Sequence, residues 1–118
     1  MPGTTSLWRL VDRKAAQLRG VPWRRRLARI LALLFVVMGS LDVVSTNAAQ
    51  AAGYAEGNPV MRLIQEQMGA WWALPKVALH LAMASMILWL PTRKLLAAAG
   101  VMTVLYVAMV SHNFSLAI

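Results

Sequence analysis

Cysteine is absent from this 118-residue chain, which removes disulfides, thiolate nucleophiles and Cys-ligated metals together. Acidic side chains are nearly absent as well: Asp12, Asp42, Glu56 and Glu66 are the only four. Charge of either sign amounts to 14%, where a soluble domain carries about 25%. That shortage argues against a water-soluble globule. Neither G-x-S-x-G nor H-E-x-x-H occurs, so no hydrolase or zinc-protease motif is present.

Apolar residues, in contrast, make up 59% of the chain, and the net charge is +8. Eight of the 12 basic residues fall in the first 29 positions: Arg9, Arg13, Lys14, Arg19, Arg24, Arg25, Arg26 and Arg29. The remainder is close to neutral and strongly apolar. This asymmetry describes a membrane protein with a basic cytoplasmic end and not a nucleic-acid binder.

Three stretches reach the roughly 20 apolar residues that a bilayer span needs. They run from about Leu27 to Ala52, from about Ala70 to Leu90, and from beyond Lys94 to Ile118. The expected fold is all-α: three transmembrane helices, a basic amphipathic N-terminal helix and a short outer interfacial helix. Residues 1–21 form the arm and residues 22–118 the membrane domain. The short Pro91–Lys94 link predicts an antiparallel hairpin of the second and third spans. Basic residues set the orientation. Eight in the first 29 residues and two in the Pro91–Lys94 link stand against Arg62 alone in the Gly53–Gly69 loop. This expectation puts the N-terminus in the cytoplasm and the C-terminus outside a bacterial inner membrane. Trp71, Trp72 and Trp89 fit aromatic belts at the span ends, and Trp23 marks the inner edge of the first span.

The arm reads as a helix capped by Ser6 and stopped by Gly20-Val21-Pro22. Leu7, Val11, Ala15 and Leu18 form one apolar stripe, with Arg9, Arg13, Lys14 and Arg19 off it. Such a helix lies flat on an anionic leaflet, and Arg24, Arg25 and Arg26 extend the contact. In the outer loop, Asn58 is a favourable N-cap and Pro59 a favourable first residue; Gly69 ends that helix. Val60, Leu63, Ile64 and Met68 then share a face. Ala49-Gln50-Ala51 resembles a signal-peptidase site. The apolar core ends too far upstream, near Met38, and Asp42 interrupts the intervening stretch, so cleavage is not expected.

Ionisable residues inside spans are functional candidates by default. Here they are Asp42, Lys76, His80 and His112. At a rise of about 1.5 Å per residue, Asp42 lies about 10 Å below the outer surface, Lys76 about 6 Å and His80 about 12 Å. Ser45, Thr46 and Asn47 extend this outer-half cluster, as do Ser111 and Asn113. Asp42 and Lys76 are expected to pair, since neither charge is tolerated alone at that depth. Small residues at Ala48 and Ala52, and at Ala78 and Ala82, offer close helix approach.

The run Asp42, Ser45-Thr46, Gly53-Tyr54-Ala55-Glu56-Gly57-Asn58-Pro59 and Lys76 resembles a family of small bacterial membrane proteins, domain-of-unknown-function family 5658. The likeness covers the first two spans and extends into the third, and it omits the basic arm. It implies a three-helix membrane protein and supplies no activity. Physically, Glu56 stands before the electropositive N-terminus of the Asn58-capped helix, where an anion is favoured.

The expected role is a non-enzymatic accessory or interaction subunit of a larger membrane complex, with membrane lipids and a membrane protein as partners. No catalytic residue, metal site or cofactor is assigned. The candidate polar cluster is Asp42, Ser45, Thr46, Glu56, Asn58, Lys76 and His80. Two alternatives stand beside it: a self-associating small transporter or channel with a polar outer-half site, and a pigment- or haem-associated subunit acting through His80.

Overall fold

A computed structural model describes residues 2–118, with side chains from Ser6 onward. It is 88% helical and contains no strand among the described residues. Helix α1 spans Pro2–Arg19. It begins four residues before Ser6, which therefore lies inside the helix and does not cap it. Gly20-Val21 breaks the chain, and Pro22 opens α2 (Pro22–Ala51), where its fixed φ suits a first helical turn and its missing N–H is not needed. The 30 residues of α2 make it about 45 Å long. Gly53, at φ +100°, closes it: its N–H donates to the Gln50 carbonyl, while Tyr54 N–H reaches back to the Ala49 carbonyl. This is a Schellman stop, and the left-handed φ explains the glycine.

Asn58 then caps α3 (Pro59–Met68), its Oδ1 accepting from the backbone N–H of Val60 at 2.9 Å and of Met61 at 3.4 Å. Gly69, at φ +59°, ends α3, and a 3-10 turn over Gly69–Trp72 leads into α4 (Ala73–Trp89). Thr92 caps α5 (Arg93–Ala117) by accepting from Leu95 N–H at 3.1 Å. Three helices are long and apolar enough to cross a membrane: Pro22–Ala51, Pro59–Trp89 taken through the 3-10 turn, and Arg93–Ala117.

α2 is the centre of the bundle, antiparallel to α4 and parallel to α5. Both neighbours pack extensively on it and hardly on each other. The expected α4–α5 hairpin is therefore antiparallel in direction but splayed, because each helix finds its apolar partner in α2. At the arm end the three helices converge on a core of Ala28, Leu31, Ile87, Leu96 and Ala99. Toward the other end, α4 and α5 separate. The molecule measures 55 × 34 × 17 Å, little deeper than one helix with its side chains. The inward stripe of α2 includes Ala28, Ala32, Phe35, Gly39, Asp42, Ser45 and Ala49. The expected small-residue pairs do not pack there: Ala52, Ala78 and Ala82 are exposed and Ala48 is half-buried.

α1 folds back against α2 and α4, burying Ala15 completely and covering Val11 and Leu18 in part. Leu7 stays exposed beside Trp8 and Leu10. Two arginines fasten this end. Arg19 Nη1 donates to the Trp89 carbonyl at 2.6 Å, and Arg24 Nη1 donates to the Pro91 carbonyl at 3.1 Å. The Trp89 carbonyl ends α4 and that of Pro91 lies just beyond it, where acceptors lack helical partners and the dipole favours a cation. Arg24 also lies 4.8 Å from the Trp23 ring centroid. Arg9, Arg13, Lys14, Arg25 and Arg26 remain exposed. Of the tryptophans expected in interfacial belts, Trp72 is instead buried, while Trp23, Trp71 and Trp89 are exposed.

Candidate functional site

The site is built in layers up the divergence of α4 from α5. Its floor is aromatic. Phe35 of α2 lies 4.9 Å from the His80 ring of α4 and 5.7 Å, edge-on, from Tyr106 of α5. His80 is 5% exposed and both of its ring nitrogens are engaged. Nδ1 lies 2.7 Å from the Lys76 carbonyl, and Nε2 lies 2.8 Å from Tyr106 Oη. A carbonyl only accepts, so Nδ1 carries the proton; in the neutral ring Nε2 then accepts from the Tyr106 hydroxyl. Gly39 makes room for the ring: a Cβ there would lie 2.7 Å from both Cγ and Nε2 of His80.

One turn above sits Asp42, 1% exposed, with its Oδ2 accepting from Lys76 Nζ. The pair joins α2 to α4, as their matched depths predict. The second carboxylate oxygen, Oδ1, is buried and has no hydrogen-bond partner among the described residues. Above the pair, Ser45 and Thr46 are buried, and Asn113 of α5 donates to their hydroxyls at 3.3 and 3.4 Å. Ser45 Oγ itself donates to the Asp42 carbonyl at 3.1 Å. Asp42, His80 and a hydroxyl therefore do not assemble a triad: each is bonded elsewhere. A haem or pigment metal at His80 would have to displace Tyr106 from Nε2 or the Lys76 carbonyl from Nδ1.

α3 roofs the site. Glu56 Oε1 accepts from Asn58 N–H at 3.0 Å, and Arg62 donates twice to the Glu56 carbonyl, at 3.1 Å and 2.7 Å. Gln50 Nε2 donates to Gln65 Oε1 at 2.8 Å and ties α3 to the end of α2. The face of α3 differs from the expected one. Met61 and Ile64 turn toward the bundle, whereas Leu63 and Met68 are exposed. His112 is exposed at the rim, and Asn47 points outward, away from the cluster.

Two cavities flank the ion pair. An inner chamber of about 480 Å³ is bounded by Met61, Ile64, Leu79, His80, Leu105 and Tyr106, with Asp42 and Lys76 at its edge. A smaller vestibule of about 280 Å³ lies between Glu56, Asn58, His112 and Asn113, and it too borders Asp42 and Lys76. Glu56 thus faces the vestibule, His80 faces the chamber, and Asn58 borders both. Sequence reasoning missed Gly39 and Phe35. It also missed Tyr106 as a site residue, although counting about 18 Å up from Lys94 through a core about 30 Å thick puts it about 12 Å below the outer surface, level with His80, which was the available signal.

An all-α chain with three bilayer-length apolar helices and a buried ion pair at its centre is compatible with a small polytopic membrane protein. Residues 30–118 match the family described as Domain of unknown function (DUF5658), and the chain belongs to it. The match begins within α2, so the basic arm lies outside it. No curated protein and no solved structure gives a match.

Proposed function

We propose that this chain is a non-enzymatic accessory subunit of a larger complex in the bacterial inner membrane. Its N-terminus is cytoplasmic, its C-terminus lies outside, and the basic arm rests on the anionic inner leaflet; nucleic acid is not a partner. The observation that carries this reading is a groove between α2 and α4, on the side α5 does not cover. Ala32, Ala84 and Ser85 floor it, Leu33, Val36 and Leu81 flank it, and Arg29 and Leu88 also line it, around about 400 Å³. Small residues between larger apolar ones let a further transmembrane helix approach closely. Site-directed photocrosslinking tests it. A crosslinker at Ser85 should capture a different membrane protein, while one at Val107 on the outer face of α5 should capture none. Capture of only a second copy of this chain at Ser85 would overturn it. That result would favour a self-associating transporter, the reading supported by the two cavities that meet at Asp42 and Lys76.

A further inference from the structure

The inner chamber has the volume of a small-molecule site, within the range of about 300 to 1,000 Å³. Its walls are mainly apolar and include Met61, Ile64, Leu79, Leu105 and Met109. Its polar end consists of Asp42, Lys76 and Asn58, and the Asn58 Oδ1 is already taken by the N–H groups of Val60 and Met61. The aromatic floor adds no free donor, since the Tyr106 hydroxyl is spent on His80 and the His80 Nδ1 proton on the Lys76 carbonyl.

Two unmet demands remain at that polar end. Asp42 Oδ1 is buried without a donor among the described residues. Lys76 has three N–H donors, of which Asp42 Oδ2 takes one and no other acceptor is present among the described residues. Asp42 and Lys76 both line the chamber. An incoming anion would meet the Asp42 carboxylate, and an incoming cation would meet the Lys76 ammonium. A hydroxyl meets both demands at once, donating to the carboxylate and accepting from the ammonium. The splayed α4 and α5 leave the chamber within the apolar length of the helices, where an acyl or prenyl chain is the natural filling.

We propose that this chamber holds one neutral, hydroxyl-bearing amphiphile drawn from the surrounding bilayer. Its hydroxyl sits between Asp42 and Lys76, and its chain lies among Met61, Ile64, Leu79 and Leu105. This inference is independent of the accessory role proposed above.

Native mass spectrometry of the full chain in mild detergent tests it, with 1-dodecanol, dodecanoate and dodecylammonium as probes. The expected result is one dodecanol per chain, retained at least tenfold better than either charged probe. Met61→Trp intrudes into the chamber from α3, outside the packed bundle, and should weaken that adduct at least tenfold while the chain stays folded. Asp42→Asn should weaken it about tenfold, the equivalent of about 1.4 kcal/mol. Equal retention of the three probes, an adduct undiminished in Met61→Trp, or no adduct at all would each overturn the proposal. The last outcome would mean that the chamber holds water only.

Discussion

Gly39 of α2 faces His80 of α4 so closely that a methyl group at position 39 would lie 2.7 Å from the imidazole Cγ. Glycine is therefore required by the neighbour and not by the backbone, since the residue is helical. Gly39→Ala should push His80 off its bond to Tyr106 and lower stability by about 1 to 3 kcal/mol. Gly100→Ala supplies the control, because nothing lies within 4 Å of that position. It should be neutral or add up to about 1 kcal/mol by helix propensity. Thermal unfolding of both variants in one detergent checks the contrast, and equal melting temperatures would contradict it.

The exposed basic and apolar residues of α1 should engage an anionic bilayer. Trp8 reports on this once the other four tryptophans are replaced by phenylalanine. Its emission should shift to shorter wavelength in anionic nanodiscs and less so in neutral ones. Replacing Arg9, Arg13 and Lys14 with Gln, or raising salt, should reduce the shift. Arg19→Gln tests a different contact. It removes the bond to the Trp89 carbonyl and should loosen the arm from the bundle, seen as faster proteolysis between α1 and α2.

Reporter fusions check the orientation. An enzyme active only outside the cytoplasm should work when fused after Ile118, and one active only inside should not. Moving basic residues from the arm into the Gly53–Gly69 loop should reverse both results.

Much of this fold is written locally. Asn58-Pro59 and Gly69 bound α3 because a cap, a fixed φ and a left-handed φ are each properties of a few consecutive residues. The spans follow from apolar length, and the Asp42–Lys76 pair follows from depth and the cost of an unpaired charge. Choices among helix faces are less local. Ala48/Ala52 and Ala78/Ala82 offer the same spacing as the stripe that is actually buried, and spacing alone does not say which stripe turns inward. Asp42 does say so. Counting by helical turns from it in both directions gives Phe35, Gly39, Ser45 and Ala49, all buried. The face of α3 escaped for a similar reason. Its inward side is set by Gln65 meeting Gln50, a contact between helices that periodicity does not encode. Splaying of α4 from α5 is likewise tertiary, since it depends on both helices preferring α2.

The central claim is that one buried ion pair organises the membrane domain, and a double-mutant cycle on Asp42 and Lys76 tests it most directly. Asp42→Asn and Lys76→Met should each destabilise the chain by about 3 to 5 kcal/mol, because each strands the other partner's charge or polar head in an apolar bundle. The double variant should recover part of that loss, giving a clear coupling energy. Stabilities that simply add, with no coupling, would contradict the account.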